Sequence, residues 1–113
     1  LSPWGFRTMN ARLVVINCAD EAEAEHIARS LVGERLAGAA NVLPGVRSFY
    51  RWQQELAQRR ETLLFVKTTE AVLERLMARA KELHSYECPC IVSLAIERGY
   101  PPYLRWLEDA TDG

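Results

Sequence analysis

The amino-acid sequence predicts one α+β domain in which strands and two long helices follow the order β-α-β-β-α-β. Three observations predict this class. Apolar residues switch between strand-like runs and helical spacing along the chain. Glycine and proline mark the boundaries of these segments. The length of 113 residues, of which 49% are hydrophobic, suffices for one core and is too short for two.

The first predicted strand covers residues 12–18, and the first predicted helix covers residues 21–35. The β-branched run Val14-Val15-Ile16 lacks helical spacing and is typical of a buried strand. Asp20 and Glu23 have the spacing of a capping box, in which the Asp20 side chain accepts a hydrogen bond from the first helical turn. Apolar residues then recur at helical intervals, at Ala24, Ile27, Ala28, Leu31 and Val32.

The middle of the chain predicts a long hairpin. Residues 39–43 and 46–54 are extended, and between them stands Pro44-Gly45, a pair typical of a turn or of a kink in a strand. Residues 55–60 are polar, and we expect them to form the connection. Residues 62–68 are then the third strand.

The last third of the chain predicts a helix, a fourth strand and a short terminal helix. Thr69 suits the N-cap of a helix whose apolar stripe ends near His84. Residues 85–89 form a linker and residues 91–96 form the fourth strand. Pro101-Pro102 opens the terminal helix.

This order is the split βαβ arrangement of ferredoxin-like domains, with a long central hairpin and a short C-terminal helix. Strands running from about Val46 to Thr68 approach a length of about 30 Å, and two helices each about 10 Å wide cover only part of such a sheet. Phe49, Tyr50 and Trp52 lie on this hairpin. Uncovered strand edges and apolar surface favour burial against another subunit. We therefore expect a homo-oligomer built by strand pairing.

Charge and motifs exclude several classes of protein. Lys and Arg number 14 against 15 Asp and Glu, so the net charge is -1, whereas nucleic-acid binders usually carry a basic face. The longest aliphatic run, Leu13 to Ile16, is about a fifth of a membrane-spanning helix. We expect neither a nucleic-acid nor a membrane partner. Nucleotide-binding loops and the common hydrolase motifs are missing from the sequence, so we expect no enzymatic activity.

The cysteine count and the N-terminus bear on location. Three cysteines are an odd number, which disfavours a disulfide scaffold and predicts reduced thiols in the cytoplasm. Residues 1–8 are expected to be a tail outside the domain, since Met9 stands just ahead of the first strand. Residues 9–113 then form the single domain.

His84, Cys88 and Cys90 form the predicted metal site. In an extended segment Cys88 and Cys90 project from the same side, with α-carbons about 6.5 to 7 Å apart. This spacing suits two thiolates on one soft ion better than a disulfide, which prefers about 5.5 to 6 Å. Sulfur donors with an imidazole favour copper(I) or zinc. The alternative is that both thiols fill the core, as we predict for Cys18, and that His84 caps a helix.

Aromatic residues predict either a ligand cleft or a subunit interface, and interfaces are the commoner use of tyrosine and tryptophan. The residues concerned are Tyr50, Trp52, Tyr86, Tyr100, Tyr103 and Trp106. Lys67 ends an apolar strand just before a helix, where it either holds an anion or is solvated.

Four ordered segments resemble the CutA family of divalent-cation tolerance proteins. They are residues 40–52, 66–69, 84–89 and 103–106, within a match that spans about residues 12–108. The resemblance implies a ferredoxin-like protomer in a tight trimer, similar in architecture to the PII nitrogen-signalling proteins. It also implies that Pro44-Gly45 is a kink within one long second strand.

The resemblance implies a homotrimer that binds copper or another divalent metal ion and confers tolerance to it. His84 matches the histidine at which the family is proposed to bind metal, whereas Cys90 stands where the family usually has glutamate. Five positions match the cleft between subunits: Tyr50, Trp52, Lys67, Tyr86 and Trp106. The alternative function is a PII-like signalling module that binds a small anionic ligand in this cleft and reports to a protein partner.

Overall fold

A four-stranded antiparallel sheet is the centre of the computed structural model, which describes residues 10–112. The elements are β1 (Ala11–Cys18), α1 (Glu21–Gly33), β2 (Ala39–Trp52), β3 (Glu55–Thr69), α2 (Glu70–Leu83), β4 (Ile91–Ala95) and α3 (Pro101–Ala110). The strand order is β2-β3-β1-β4, and neighbouring strands are antiparallel. The predicted ferredoxin-like α+β fold is confirmed. The tail expected at residues 1–8 lies outside the described residues.

The central hairpin is longer than the sequence predicts. β3 begins at Glu55, so the prediction that residues 55–60 form the connection is wrong. The connection is Gln53 and Gln54, with φ angles of 49° and 69°. Two left-handed residues make the turn whose twist matches a two-stranded hairpin. The polar segment 55–60 is a strand because the backbone of each of its residues pairs with a residue of β2. This pairing does not require apolar side chains.

Pro44 and Gly45 form a bulge within β2, as the resemblance implies. Across the bulge the paired positions advance by three residues on β2 and by two on β3. Gly45 has φ 76°, a backbone conformation that favours glycine. The conformation is the reason for glycine here, since a β-carbon at this position would meet no other atom within 4 Å. The extra residue reverses which side chains of β2 face each side of the sheet. Tyr50 and Trp52 therefore share a face with Glu61.

Helices α1 and α2 cover one face of the sheet and enclose the core. Its fully buried members include Val14, Ile16, Cys18, Ile27, Leu31, Leu64, Val66, Val72 and Leu76. The prediction that Cys18 is a core residue is confirmed. α1 ends at Gly33, two residues before the predicted end. Arg35 adopts a left-handed φ of 61°, which is incompatible with a right-handed α-helix.

The opposite face of the sheet, which we call the open face, is apolar and partly exposed. It carries Leu13, Val15, Leu63 and Phe65 on the central strands and Val92 and Leu94 on β4. At one end α3 packs Leu104 and Leu107 against Ala11. Within residues 10–112, no helix is long and apolar enough to cross a membrane.

Candidate metal and ligand groove

A groove of about 980 Å³ separates the bulged half of the hairpin from the linker between α2 and β4. We call it the hairpin groove. The residues that line it are Asn17, Ser48, Phe49, Tyr50, Trp52, Arg59, Glu61, Tyr86, Glu87, Cys88 and Cys90. The bulge brings Tyr50 and Trp52 into this set, because without the extra residue they would face the other side.

Glu61 is the centre of a hydrogen-bond network in the groove. Only 6% of this residue is exposed. The Nδ2 amide of Asn17 donates to one carboxylate oxygen at 3.0 Å, and the hydroxyl of Tyr86 donates to the other at 2.9 Å. Burial acts to raise the pKa of Glu61, but hydrogen bonds from Ser48, Asn17 and Tyr86 and the charge of Arg59 outweigh it and lower the pKa. Glu61 is therefore a buried, ionised acceptor.

Tyr86 connects the linker to the hairpin. Its hydroxyl reaches Glu61 on β3, and the guanidinium carbon of Arg59 lies 4.8 Å from the centre of its ring. A cation over an aromatic face is attracted by the ring quadrupole. Burial and the carboxylate of Glu61 raise the pKa of Tyr86, so its hydroxyl keeps its proton and donates.

Cys88 and Cys90 are free thiols, and both are exposed in the protomer. The alternative that they fill the core is therefore not supported. Both line the hairpin groove, as does Glu87. The backbone N–H of Asn17 donates to the carbonyl of Cys90 at 3.2 Å, which fixes Cys90 against the end of β1. The groove thus presents two soft sulfur donors.

His84 does not line this groove. Its side chain is fully buried. Nδ1 accepts a hydrogen bond from the N–H of Tyr86 at 3.0 Å, and Nε2 lies 2.7 Å from the carbonyl oxygen of Asn17. Because a carbonyl can only accept, the neutral Nε2–H tautomer satisfies both contacts. His84 stands at the C-cap of α2 and its backbone N–H donates to the carbonyl of Lys81, but its ring contacts β1 and the linker and not the end of the helix. Its role as a metal ligand stays a prediction that requires one of these ring contacts to break.

Cys18, Glu23 and His84 form the one cluster of three metal-binding residue types found among residues 10–112, with ligand atoms within 4.8 Å of one another. Glu23 accepts hydrogen bonds from the N–H groups of Ala19 at 2.9 Å and of Ser85 at 2.7 Å. Burial raises the pKa of the Cys18 thiol to about 12, and nearby carboxylates add to the effect. A protonated thiol is a poor metal ligand. The cluster joins the β1–α1 turn to the linker.

Lys67 and Trp106, the other residues predicted for a cleft, lie outside the groove. Lys67 Nζ donates to the side-chain oxygen of Asn41 at 2.7 Å. Trp106 is about half exposed and its ring lies 5.4 Å from that of Tyr103. The groove is lined by Tyr50, Trp52 and Tyr86. The five residues predicted for one cleft are therefore divided between the groove and the surface outside it.

Sequence reasoning missed Glu61, Arg59 and Asn17. Arg59 and Glu61 are two residues apart, so on a strand they point to the same side. This spacing would have identified them if the polar segment had been taken as a strand.

Comparison with known proteins agrees with the architecture. The profile of the family described as CutA1 divalent ion tolerance protein matches residues 12–110. The chain belongs to the CutA1 family. A Thermus thermophilus protein named divalent-cation tolerance protein CutA is 46% identical over 99 residues, which cover 88% of this chain and 96% of that protein. The resemblance to the CutA family is confirmed.

A solved structure and a vertebrate relative show how far the likeness extends. A solved structure of the divalent cation tolerance protein from Thermus thermophilus matches with a TM-score of 0.88 and 44% identity, over 89% of this chain and 98% of that one. A CutA homolog from Xenopus laevis is 38% identical over 94 residues, which cover 83% of this chain. The match covers 62% of the Xenopus protein, so the chain spans less than two thirds of that relative.

Proposed function

We propose that this CutA1 protein confers metal tolerance as a non-enzymatic homotrimer that binds copper or another heavy-metal ion. The observation that carries the proposal is the pair of exposed thiols, Cys88 and Cys90, which line one groove. Thiolates are the ligands that soft ions such as copper(I) prefer. Holding such an ion lowers its free concentration, so tolerance requires binding and no chemical conversion.

The free cysteines support a cytosolic location for this activity. Cys18, Cys88 and Cys90 are all unpaired. Exposed thiols stay reduced in a compartment buffered by glutathione and are readily oxidised outside it. A site built on two thiols therefore suits the cytosol.

The apolar surface of the protomer supports the trimer. Leu94 on the open face is 51% exposed, and Trp52 and Leu56 near the hairpin tip are 61% and 82% exposed. Large apolar side chains that a protomer leaves exposed favour burial against another subunit. β2 and β4 are also edge strands, free to pair with another chain. Light scattering should give three times the chain mass, and a monomer at micromolar concentration would contradict this part of the proposal.

The metal proposal is tested by titrating reduced protein with copper(I) against a competing chelator. The double variant Cys88→Ser with Cys90→Ser should lose tight binding, because it keeps the side-chain size and removes both soft donors. His84→Ala tests the family-type histidine site. His26→Ala is the matched control for His84→Ala, since His26 is an exposed histidine on α1. A double variant that binds copper(I) as tightly as the parent would refute the thiol site.

The second candidate is a PII-like module that binds a small anion, and Arg59 favours it. Its guanidinium lies over Tyr86 in a groove also lined by Tyr50 and Trp52. Such a surface suits an anion that also carries a planar ring, such as a nucleotide. A ligand at 100 times its dissociation constant stabilises a protein by about 2.7 kcal/mol, so a thermal-shift comparison of nucleotides and copper(I) distinguishes the candidates. The nucleotide shift should vanish in Arg59→Ala.

A further inference from the structure

The segment that carries the two thiols is held at both of its ends. At one end the hydroxyl of Tyr86 donates to Glu61 on β3, and at the other the carbonyl of Cys90 accepts from the N–H of Asn17 on β1. Cys88 lies between these two points. Asn17 also donates from its side chain to Glu61, so both anchors meet in one network.

We propose that Glu61 and Tyr86 are positioning residues that orient Cys88 and Cys90 toward one metal ion. This inference rests on the proposed metal function. Both carboxylate oxygens of Glu61 already accept hydrogen bonds, one from Asn17 and one from Tyr86. Glu61 thus acts on the thiols through Tyr86 and is not itself a ligand.

The positioning matters because two thiolates must converge on one ion. A linker that is free to move samples geometries in which only one sulfur reaches the metal, and ordering it on binding weakens the affinity. Side chains that orient metal ligands in this way typically change affinity by roughly 10-fold to 100-fold when they are removed. The Arg59 guanidinium over the Tyr86 ring holds the same side chain from a second direction.

The substitution Tyr86→Phe tests the proposal. It keeps the ring beneath Arg59 and removes only the hydroxyl that reaches Glu61. We expect copper(I) to bind roughly 10-fold to 100-fold more weakly. Glu61→Gln, which removes the charge and keeps the shape, should weaken binding in the same direction. Tyr103→Phe is the matched control, because Tyr103 lies on α3 outside the groove, and it should bind as the parent does.

A second readout needs no metal. The rate at which Cys88 and Cys90 react with an aromatic disulfide reagent reports how freely the linker moves, and Tyr86→Phe should react faster than the parent and Tyr103→Phe.

The outcomes separate this inference from the proposed function. If the parent binds copper(I) and Tyr86→Phe binds equally tightly, the positioning role is wrong. If the parent does not bind copper(I), the proposed function is wrong, and the thiol reaction rates alone decide the positioning role. Equal rates in Tyr86→Phe and the parent would then overturn it.

Discussion

The two-residue turn of the central hairpin allows a quantitative prediction. Gln53 and Gln54 both adopt a left-handed conformation, with φ 49° and 69°. A residue with a β-carbon in this region costs about 1 to 2 kcal/mol relative to a right-handed one, whereas glycine has no such penalty and asparagine tolerates the region. Changing the turn to asparagine followed by glycine should therefore stabilise the folded protein.

The expected magnitude follows from two opposing terms. Relief of the left-handed strain at both positions contributes about 2 kcal/mol, and the greater freedom of glycine in the unfolded chain offsets about 0.4 to 1 kcal/mol of it. The net gain is about 1 kcal/mol. With an unfolding entropy of roughly 2.1 cal/mol/K for each of 113 residues, this gain raises the melting temperature by about 4 °C.

Thermal unfolding of Gln53→Asn with Gln54→Gly, at the same protein concentration as the parent, measures this shift. Equal concentration matters because the stability of an oligomer depends on it. The matched control is Gln58→Gly, which makes the same change within β3, where the backbone is extended and glycine should destabilise by roughly 0.5 to 1 kcal/mol. A lower melting temperature for the turn variant, or a higher one for Gln58→Gly, would refute the reasoning.

Two further predictions concern the bulge and the response to acid. Gly45→Ala should lower the free energy of unfolding by about 1 kcal/mol, measured by urea denaturation, although the added methyl group meets no atom, since the cost lies in φ 76°. The lowered pKa of Glu23 and Glu61 stabilises the folded state above the unfolded pKa of about 4.3, and this stability is lost as pH falls through the lowered values. Melting temperatures between about pH 6 and pH 2 should fall less steeply for Glu61→Gln than for the parent, and equal slopes would contradict the assignment.

The start of α1 was predictable because its determinants are local. Asp20 accepts a hydrogen bond from the N–H of Glu23 at 2.9 Å, as the capping box predicts. The Glu23 side chain reaches one residue further back than in the standard box and accepts from the N–H of Ala19. Thr69 also stands at the N-cap of α2, but its side chain makes no capping bond and its hydroxyl instead lies 3.3 Å from that of Thr111. The sequence thus predicted the N-cap position of Thr69, but the contact of its side chain depends on Thr111, 42 residues away.

The groove was only partly predictable because its parts come from four segments of the chain. Tyr86 and the thiols were identified from one short stretch, but Glu61 lies 44 residues from its partner Asn17 and 25 from Tyr86. The strand that carries Glu61 lacks the apolar alternation that identifies a half-buried strand in sequence. Its place in the sheet is set by pairing and by the bulge, which are properties of the folded chain.

The double hydrogen bonding of Glu23 has a consequence for local unfolding. One of its oxygens closes the first turn of α1 and the other holds the N–H of Ser85, 62 residues away, at the start of the thiol-bearing linker. Segments that share such a contact tend to open together as one cooperative unit. The backbone amide of Ser85, although it lies in an exposed linker, should therefore exchange with solvent only as readily as the start of α1 frays. One carboxylate in this way extends the protection of a helix packed on the core to the first residue of a surface segment without regular structure.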